Sequence, residues 1–284
     1  MPCRSTHPPR ALSRRGFLGL ASAAGGFWIR EGWAGSPQRR LLGGDPALLS
    51  PLEREHFPSL SLPAKTRNGA KVPIVVEMSH PMTPDHQVTS LEVVNDTDPI
   101  PGKGRFHFTP GNGAVYLAFQ ARMDEGDSEV TVTADCNRHG RWQIRRRISI
   151  PEGGGGCAGE APPWGRVAGD DIHRPEIRIP ELVQGGGIRR GEVIHPQLKI
   201  RHPNRTGLAE NDGSFVRASE PLYLEKMEVR FGGVVVSRFE FTPALSDDPF
   251  ITFALLASRE GSLEVHLVNN RGQRFETAHE ISFS

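Results

Sequence analysis

Beyond residue 70 the chain is a succession of short extended runs rich in Val, Ile, Phe and Thr, closed by Gly, Pro, Asn or Asp, and no stretch keeps a helical period. In such runs alternate side chains point to opposite faces, so each run has to bury one face against a second layer. In the first half, strands are expected over 72–78, 88–94, 105–109, 114–120, 129–134 and 142–150. A second series is expected over 177–179, 197–201, 222–231, 234–239, 250–255, 263–268 and 275–281, with Gly232-Gly233 as a tight hairpin turn. Strands at that spacing predict β-sandwiches. The fold class is therefore all-β: two sandwich domains, 35–152 and 175–284, joined by a Gly/Pro-rich linker over 153–174.

With 34 basic and 33 acidic residues among 284, the formal charge is +1 and the signs are interspersed. That balance gives no basis for a nucleic-acid partner or an anionic membrane surface. The triplet Arg145-Arg146-Arg147 lies within an expected strand and reads as a solvated face.

The N-terminus carries a targeting pattern. Ser13-Arg14-Arg15-Gly16-Phe17-Leu18 has the twin-arginine form, and the apolar run over 18–29 is too short to span a bilayer. Gly32-Trp33-Ala34 offers a small-x-small cleavage site. The expectation is a signal peptide over 1–34, export to the periplasm by the twin-arginine pathway, and no stable membrane insertion once it is cleaved. Cleavage would remove Cys3 and leave Cys136 and Cys157. Those two could form one disulfide; if Cys136 holds a metal, Cys157 is instead a free thiol.

Three segments concentrate metal-ligand chemistry: Glu55-His56-Phe57-Pro58, His80-Pro81-Met82-Thr83-Pro84-Asp85-His86, and Cys136-Asn137-Arg138-His139-Gly140-Arg141-Trp142. Together they supply imidazoles from His56, His80, His86 and His139 and a thiolate from Cys136. Imidazole suits Zn, Cu, Fe and Ni, so spacing alone leaves the metal open. A structural zinc site would close at four ligands, whereas a fifth donor suits a metal that prefers six and keeps one position free. Each segment falls at the edge of an expected strand, where a sandwich gathers its loops. His107, His173, His195 and His266 have no such context and read as structural.

In order and in residues, the segments resemble the ligand motifs of the superoxide reductase and desulfoferrodoxin iron domain, over roughly residues 53–142. The resemblance implies an immunoglobulin-like sandwich and one mononuclear non-haem iron, Fe(2+)/Fe(3+). His56, His80, His86 and His139 would be its equatorial nitrogens and Cys136 its axial sulfur. It also implies one-electron reduction of superoxide to hydrogen peroxide at the position opposite sulfur, with an external periplasmic electron donor. Where the family commonly has a lysine before the first histidine, this chain has Glu55. That carboxylate would repel an anionic substrate by about 1 kcal/mol at 4 Å in water, or serve as a sixth ligand to ferric iron.

The second half resembles the sulfur-oxidation protein SoxZ, through Gly191-Glu192-Val193-Ile194, His202-Pro203-Asn204-Arg205-Thr206-Gly207, Asp248-Pro249-Phe250-Ile251-Thr252-Phe253 and Asn270-Arg271-Gly272. Asn68-Gly69-Ala70-Lys71-Val72-Pro73-Ile74 and Gly155-Gly156-Cys157-Ala158-Gly159 resemble SoxY, whose terminal Gly-Gly-Cys-Gly-Gly arm carries sulfur covalently. The whole looks like a SoxYZ-like fusion. A second function follows from that resemblance: Cys157 as a covalent sulfur carrier on an exposed, swinging arm that serves a sulfur-metabolism oxidoreductase. Ala158 in place of glycine and the tether at both ends of the arm depart from the pattern, and the alternative is a flexible linker with an incidental cysteine.

Overall fold

The computed structural model describes residues 39–42, 48–158, 172–183 and 185–284. The twin-arginine segment, its cleavage site and the Pro162-Pro163 stretch lie outside the described residues. The first half supplies β1 (Arg39–Leu41), α1 (Pro51–His56), β2 (Ser59–Ser61), β3 (Val72–Met78), β4 (Val88–Asn95), β5 (Gly102–Phe108), β6 (Val115–Ala121), β7 (Gly126–Cys136) and β8 (Gly140–Ile150). The second half supplies β9 (Glu176–Arg178), α2 (Pro180–Val183), β10 (Glu192–Ile194), β11 (Gln197–Lys199), β12 (Leu208–Asn211), β13 (Ser214–Arg217) and β14 (Leu224–Phe231). It continues with β15 (Val234–Phe241), β16 (Phe250–Phe253), β17 (Leu255–Ala257), β18 (Gly261–Asn269) and β19 (Arg274–Ile281). The all-β reading holds, and the alternation that predicted it is visible in β6 and β18, where every second side chain is buried.

The two β-sandwich halves are also joined edge to edge. One sheet of nine strands runs β1-β8-β7-β4-β5-β15-β14-β18-β19 and a second of six runs β2-β3-β6-β16-β11-β9. Each sheet crosses from one half to the other by an antiparallel pairing: β5 with β15, and β6 with β16. Two sandwiches side by side would each expose an unpaired edge, and joining those edges satisfies the backbone N–H and C=O groups of both. The core is shared as well. Phe106 of β5 packs 5.0 Å from Phe119 of β6 and 5.3 Å from Phe239 of β15, and Phe239 lies 6.1 Å from Phe253 of β16. All four rings are at most 2% exposed, each contributing about 1.5–3 kcal/mol by leaving water. Residues 36–284 accordingly form one compact unit. Among the described residues no helix is long and apolar enough to cross a membrane.

The β7–β8 hairpin carries the metal-ligand segment at its tip. Cys136 pairs with Gly140 across a three-residue turn. Gly140 has φ +76°, a conformation that side-chain-bearing residues rarely adopt and that such a turn requires.

Candidate metal centre

Each of the three segments is held by local chemistry. Ser50 caps α1: its hydroxyl accepts the Glu53 N–H at 3.3 Å, the Glu53 carboxylate accepts the Ser50 N–H at 2.9 Å, and Pro51 occupies the first turn. His56 ends that helix and donates Nδ1–H to the Leu52 carbonyl at 2.7 Å, satisfying a carbonyl near the helix end. His80 follows β3 and donates Nδ1–H to the Pro81 carbonyl at 2.6 Å. Thr83 and His86 exchange backbone hydrogen bonds of 3.0 and 3.2 Å, a tight turn that brings His86 back over His80. The Asn137 side-chain carbonyl accepts the Gln87 N–H at 2.9 Å, and the Asn137 N–H donates to the Gln87 carbonyl at 3.1 Å. Asn137 thereby ties the His80–His86 loop to the Cys136 hairpin.

The donor atoms converge. One donor each from His56, His80, His86 and Cys136 lie within 4.8 Å of one another. His139 joins them through Nδ1, which is 2.9 Å from His56 Nε2, 3.2 Å from His86 Nε2 and 3.9 Å from Cys136 Sγ. The Nε2 atoms of His56 and His86 are 3.2 Å apart. Two ligands bound at right angles to one metal at about 2.1 Å would sit about 3 Å apart, so these separations fit a shared cation.

Protonation points the same way. A carbonyl only accepts, so Nδ1 of His56 and of His80 must carry the ring proton, and Nε2 of each neutral ring presents a bare lone pair inward. Burial lowers the pKa of His80 to about 4 against the opposing Pro81 hydrogen bond, and burial likewise lowers His56 and His86. These rings are neutral and ligand-ready near pH 7. His80 is 5% exposed and its Nε2 is a buried atom with no hydrogen-bond partner. A lone pair left unpaired in that position costs about 1–3 kcal/mol, which a metal ion would offset. The donor set of imidazoles and a thiolate fits a metal of the Fe, Zn, Cu or Ni type. Glu55 is half-buried and lies outside the mutually close group; burial lowers the pKa of His56, His80 and His86, and the Glu55 charge only partly opposes that lowering.

The glycine-cysteine arm is docked, which departs from the exposed, swinging segment expected. Gly69 N–H donates to Gly154 O at 2.8 Å, Gly156 N–H to Met123 O at 2.8 Å, Arg122 Nη1 to Gly156 O at 2.9 Å, and Thr206 Oγ1 to Cys157 O at 2.7 Å. A Cβ on Gly156 would collide with the backbone of Gly69 and Ala70. At this position the glycine serves close backbone packing rather than mobility. Cys157 is 0% exposed, and burial pushes its thiol up to about 12. Around it lies a charged nest that sequence reading missed: Lys103, itself fully buried, pairs with Asp98 at 2.5 Å, and Arg122 pairs with Asp247 at 2.8 Å. Nothing in the local pattern of a Gly-Lys-Gly strand announces a buried lysine.

Cys136 and Cys157 are both free. The arm packs beside Met123 and Glu125, just before β7, whereas Cys136 ends that strand eleven residues later. At about 3.4 Å per residue the two ends of β7 are roughly 30 Å apart, far beyond the ~7 Å between Cα atoms that a disulfide tolerates. The metal-ligand cluster and the arm therefore occupy opposite ends of the first half.

Residues 49–157 match the family model of the sulfur oxidation protein SoxY, and residues 186–280 that of the sulphur oxidation protein SoxZ. The chain carries a SoxY domain followed, in the same polypeptide, by a SoxZ domain. It has no match among curated proteins. Solved structures that match part of the chain include a variant of the superoxide reductase (neelaredoxin) from Ignicoccus hospitalis. That protein is 24% identical at TM-score 0.32, the match covering 34% of this chain and 82% of that one. A variant of the Archaeoglobus fulgidus superoxide reductase (neelaredoxin) in the reduced form is 22% identical at TM-score 0.28, covering 36% and 94%. The superoxide reductase from Nanoarchaeum equitans is 17% identical at TM-score 0.29, covering 39% and 100%.

Proposed function

We propose that the chain is an exported non-haem iron oxidoreductase that takes one electron from an external periplasmic donor and passes it to superoxide or a related small oxidant. The observation that carries this reading is the convergence of His56, His80, His86, His139 and Cys136, from three separate segments, with the buried His80 Nε2 left without a partner. Bound iron would supply the one-electron couple, and superoxide would need that electron and two protons to leave as hydrogen peroxide. The Leu52 and Pro81 carbonyls hold the His56 and His80 rings with Nε2 facing inward. The Arg138 N–H donates to Cys136 Sγ at 3.4 Å and fixes the sulfur at the hairpin tip. His86 and His139 are the partly exposed rings of the group, so solvent and a small oxidant would approach on their side. Glu55 would disfavour an anion there and offers a carboxylate to the more oxidised metal.

The test is metal analysis of the full chain after anaerobic loading with Fe(II), followed by oxidation and superoxide-consumption kinetics. About one iron per chain, a thiolate-to-ferric absorption band lost in Cys136→Ser, and superoxide consumption faster than that of the variant support the reading. A colourless protein that retains only zinc sinks it. Blocked export in an Arg14→Lys, Arg15→Lys variant would support the periplasmic assignment.

A second reading has one observation in its favour: the SoxY match ends on Cys157. In that reading Cys157 leaves its dock to carry sulfur for an oxidoreductase partner. A mass adduct after incubation with thiosulfate and an electron acceptor, absent in Cys157→Ser, supports it. An unchanged mass with an undocked arm counts against it.

A further inference from the structure

Behind His56 stands a column of groups that the ligand set does not use. Trp142 is 0% exposed and its indole Nε1 has no hydrogen-bond partner. Its ring lies 4.9 Å from the His56 ring at an interplanar angle of 35°, and Phe57 meets it edge-on at 4.9 Å. Arg40, exposed to solvent, brings its guanidinium carbon to 4.5 Å from the indole centroid. The sheet explains the placement: β1 joins β8 in parallel, and Arg40 is in register with Trp142. Three residues of edge strand thus deliver one cation to the back of a ligand ring. Glu53 also lies within range of Arg40, but Ser50 already engages its carboxylate.

Resting on the metal reading above, we infer that Trp142 is the positioning residue for His56, and that Arg40, seated on Trp142 by β1, raises the reduction potential of the bound metal. Aromatic packing restricts the imidazole to the orientation in which Nε2 faces the other donors, so less freedom is lost when a metal binds. A fixed positive charge within roughly 10 Å of the ligand, near one Debye length and with protein between, disfavours the more highly charged oxidation state. The lower state, the one that donates an electron, is favoured in consequence. The N-terminal strand is then part of the metal centre although it supplies no ligand.

The experiment loads the full chain anaerobically with Fe(II) and compares wild type with Arg40→Gln, Arg40→Lys, Trp142→Phe, Trp142→Leu and the double variant Arg40→Gln/Trp142→Leu. Iron stoichiometry, Fe(II) affinity, midpoint potential and melting temperature are measured for each. Arg40→Gln should lower the midpoint potential with iron content and melting temperature unchanged, and Arg40→Lys should restore it. Trp142→Leu should weaken Fe(II) binding at least tenfold while Trp142→Phe, which keeps an aromatic face, binds as wild type. In the Trp142→Leu background Arg40→Gln should have no further effect. A wild-type potential in Arg40→Gln, or wild-type affinity in Trp142→Leu, overturns the inference while leaving the metal reading in place. Wild-type protein that takes up no iron overturns both.

Discussion

Native Cys157 should react about a thousandfold more slowly than an unfolded cysteine, and the size of the effect comes from its surroundings. Burial is the main cause that pushes its thiol from 9.0 up to about 12; Lys103 and Arg122 pull the other way, and Asp98 and Asp124 add to the rise. Only the thiolate attacks an alkylating agent. At pH 8 a thiol of pKa 9 is roughly one-tenth ionised and one of pKa 12 roughly one part in ten thousand, a ratio of ~10³. Reaction must also wait for the docked arm to open, which slows it further. Iodoacetamide labelling of the native full chain at pH 8, quantified on the Cys157 peptide against a urea-unfolded control, measures the ratio. Arg122→Ala removes the donor that holds the Gly156 carbonyl and should accelerate labelling. The same shift has a stability signature. The folded-state pKa is raised, so the contribution of the neutral thiol is complete below about pH 9 and is lost as pH climbs toward about 12. The loss is about 1.4 kcal/mol per pH unit, read as declining stability of wild type relative to Cys157→Ala. Native labelling at the unfolded rate would refute the docked arm and the buried thiol.

The remaining predictions concern packing and the metal centre. Gly156→Ala forces a Cβ into the Gly69–Ala70 backbone and should cost at least about 2 kcal/mol in urea unfolding. Lys103→Met strands the buried Asp98 carboxylate and should cost about 3–5 kcal/mol, whereas Lys103→Met/Asp98→Asn should cost less than the sum of its single variants. Gly140→Ala strains the φ +76° turn between Cys136 and the second strand; about 1 kcal/mol of stability should go, and metal affinity should fall with it. Cys136→Ser should leave the fold intact by circular dichroism yet abolish the sulfur-to-metal absorption band.

Much of this molecule was legible from residue pattern alone because the determinants are local. Alternation marked most of the long strands to within a few residues, as in β3, expected over 72–78 and found at Val72–Met78. The ligand segments were legible because they gather reactive residue types, His80, His86, Cys136 and His139 next to strand ends and His56 at the end of the short helix α1. Their neighbours Thr83, Asn137 and Gly140 are the residues that tight turns and loop staples require. The helix α1 was missed: at six residues it has no period to detect, and only its Ser50-Pro51-x-Glu53 cap announces it.

Other features depend on pairings across long stretches of chain, which no local pattern encodes. Whether β5 meets β15 or ends as an open edge depends on partners more than a hundred residues apart, and that pairing turns two sandwiches into one body. The glycine arm illustrates the limit most clearly. Gly155-Gly156-Cys157 permits either a flexible arm or a tightly packed backbone, since a missing side chain serves both. Only the docking against Gly69, Met123, Arg122 and Thr206 selects the second. The cysteine question was settled in the same way. Composition allowed Cys136 and Cys157 a disulfide, but β7 runs extended between their two sites and holds them at opposite ends, leaving Cys136 with the histidines and Cys157 buried in the docked arm.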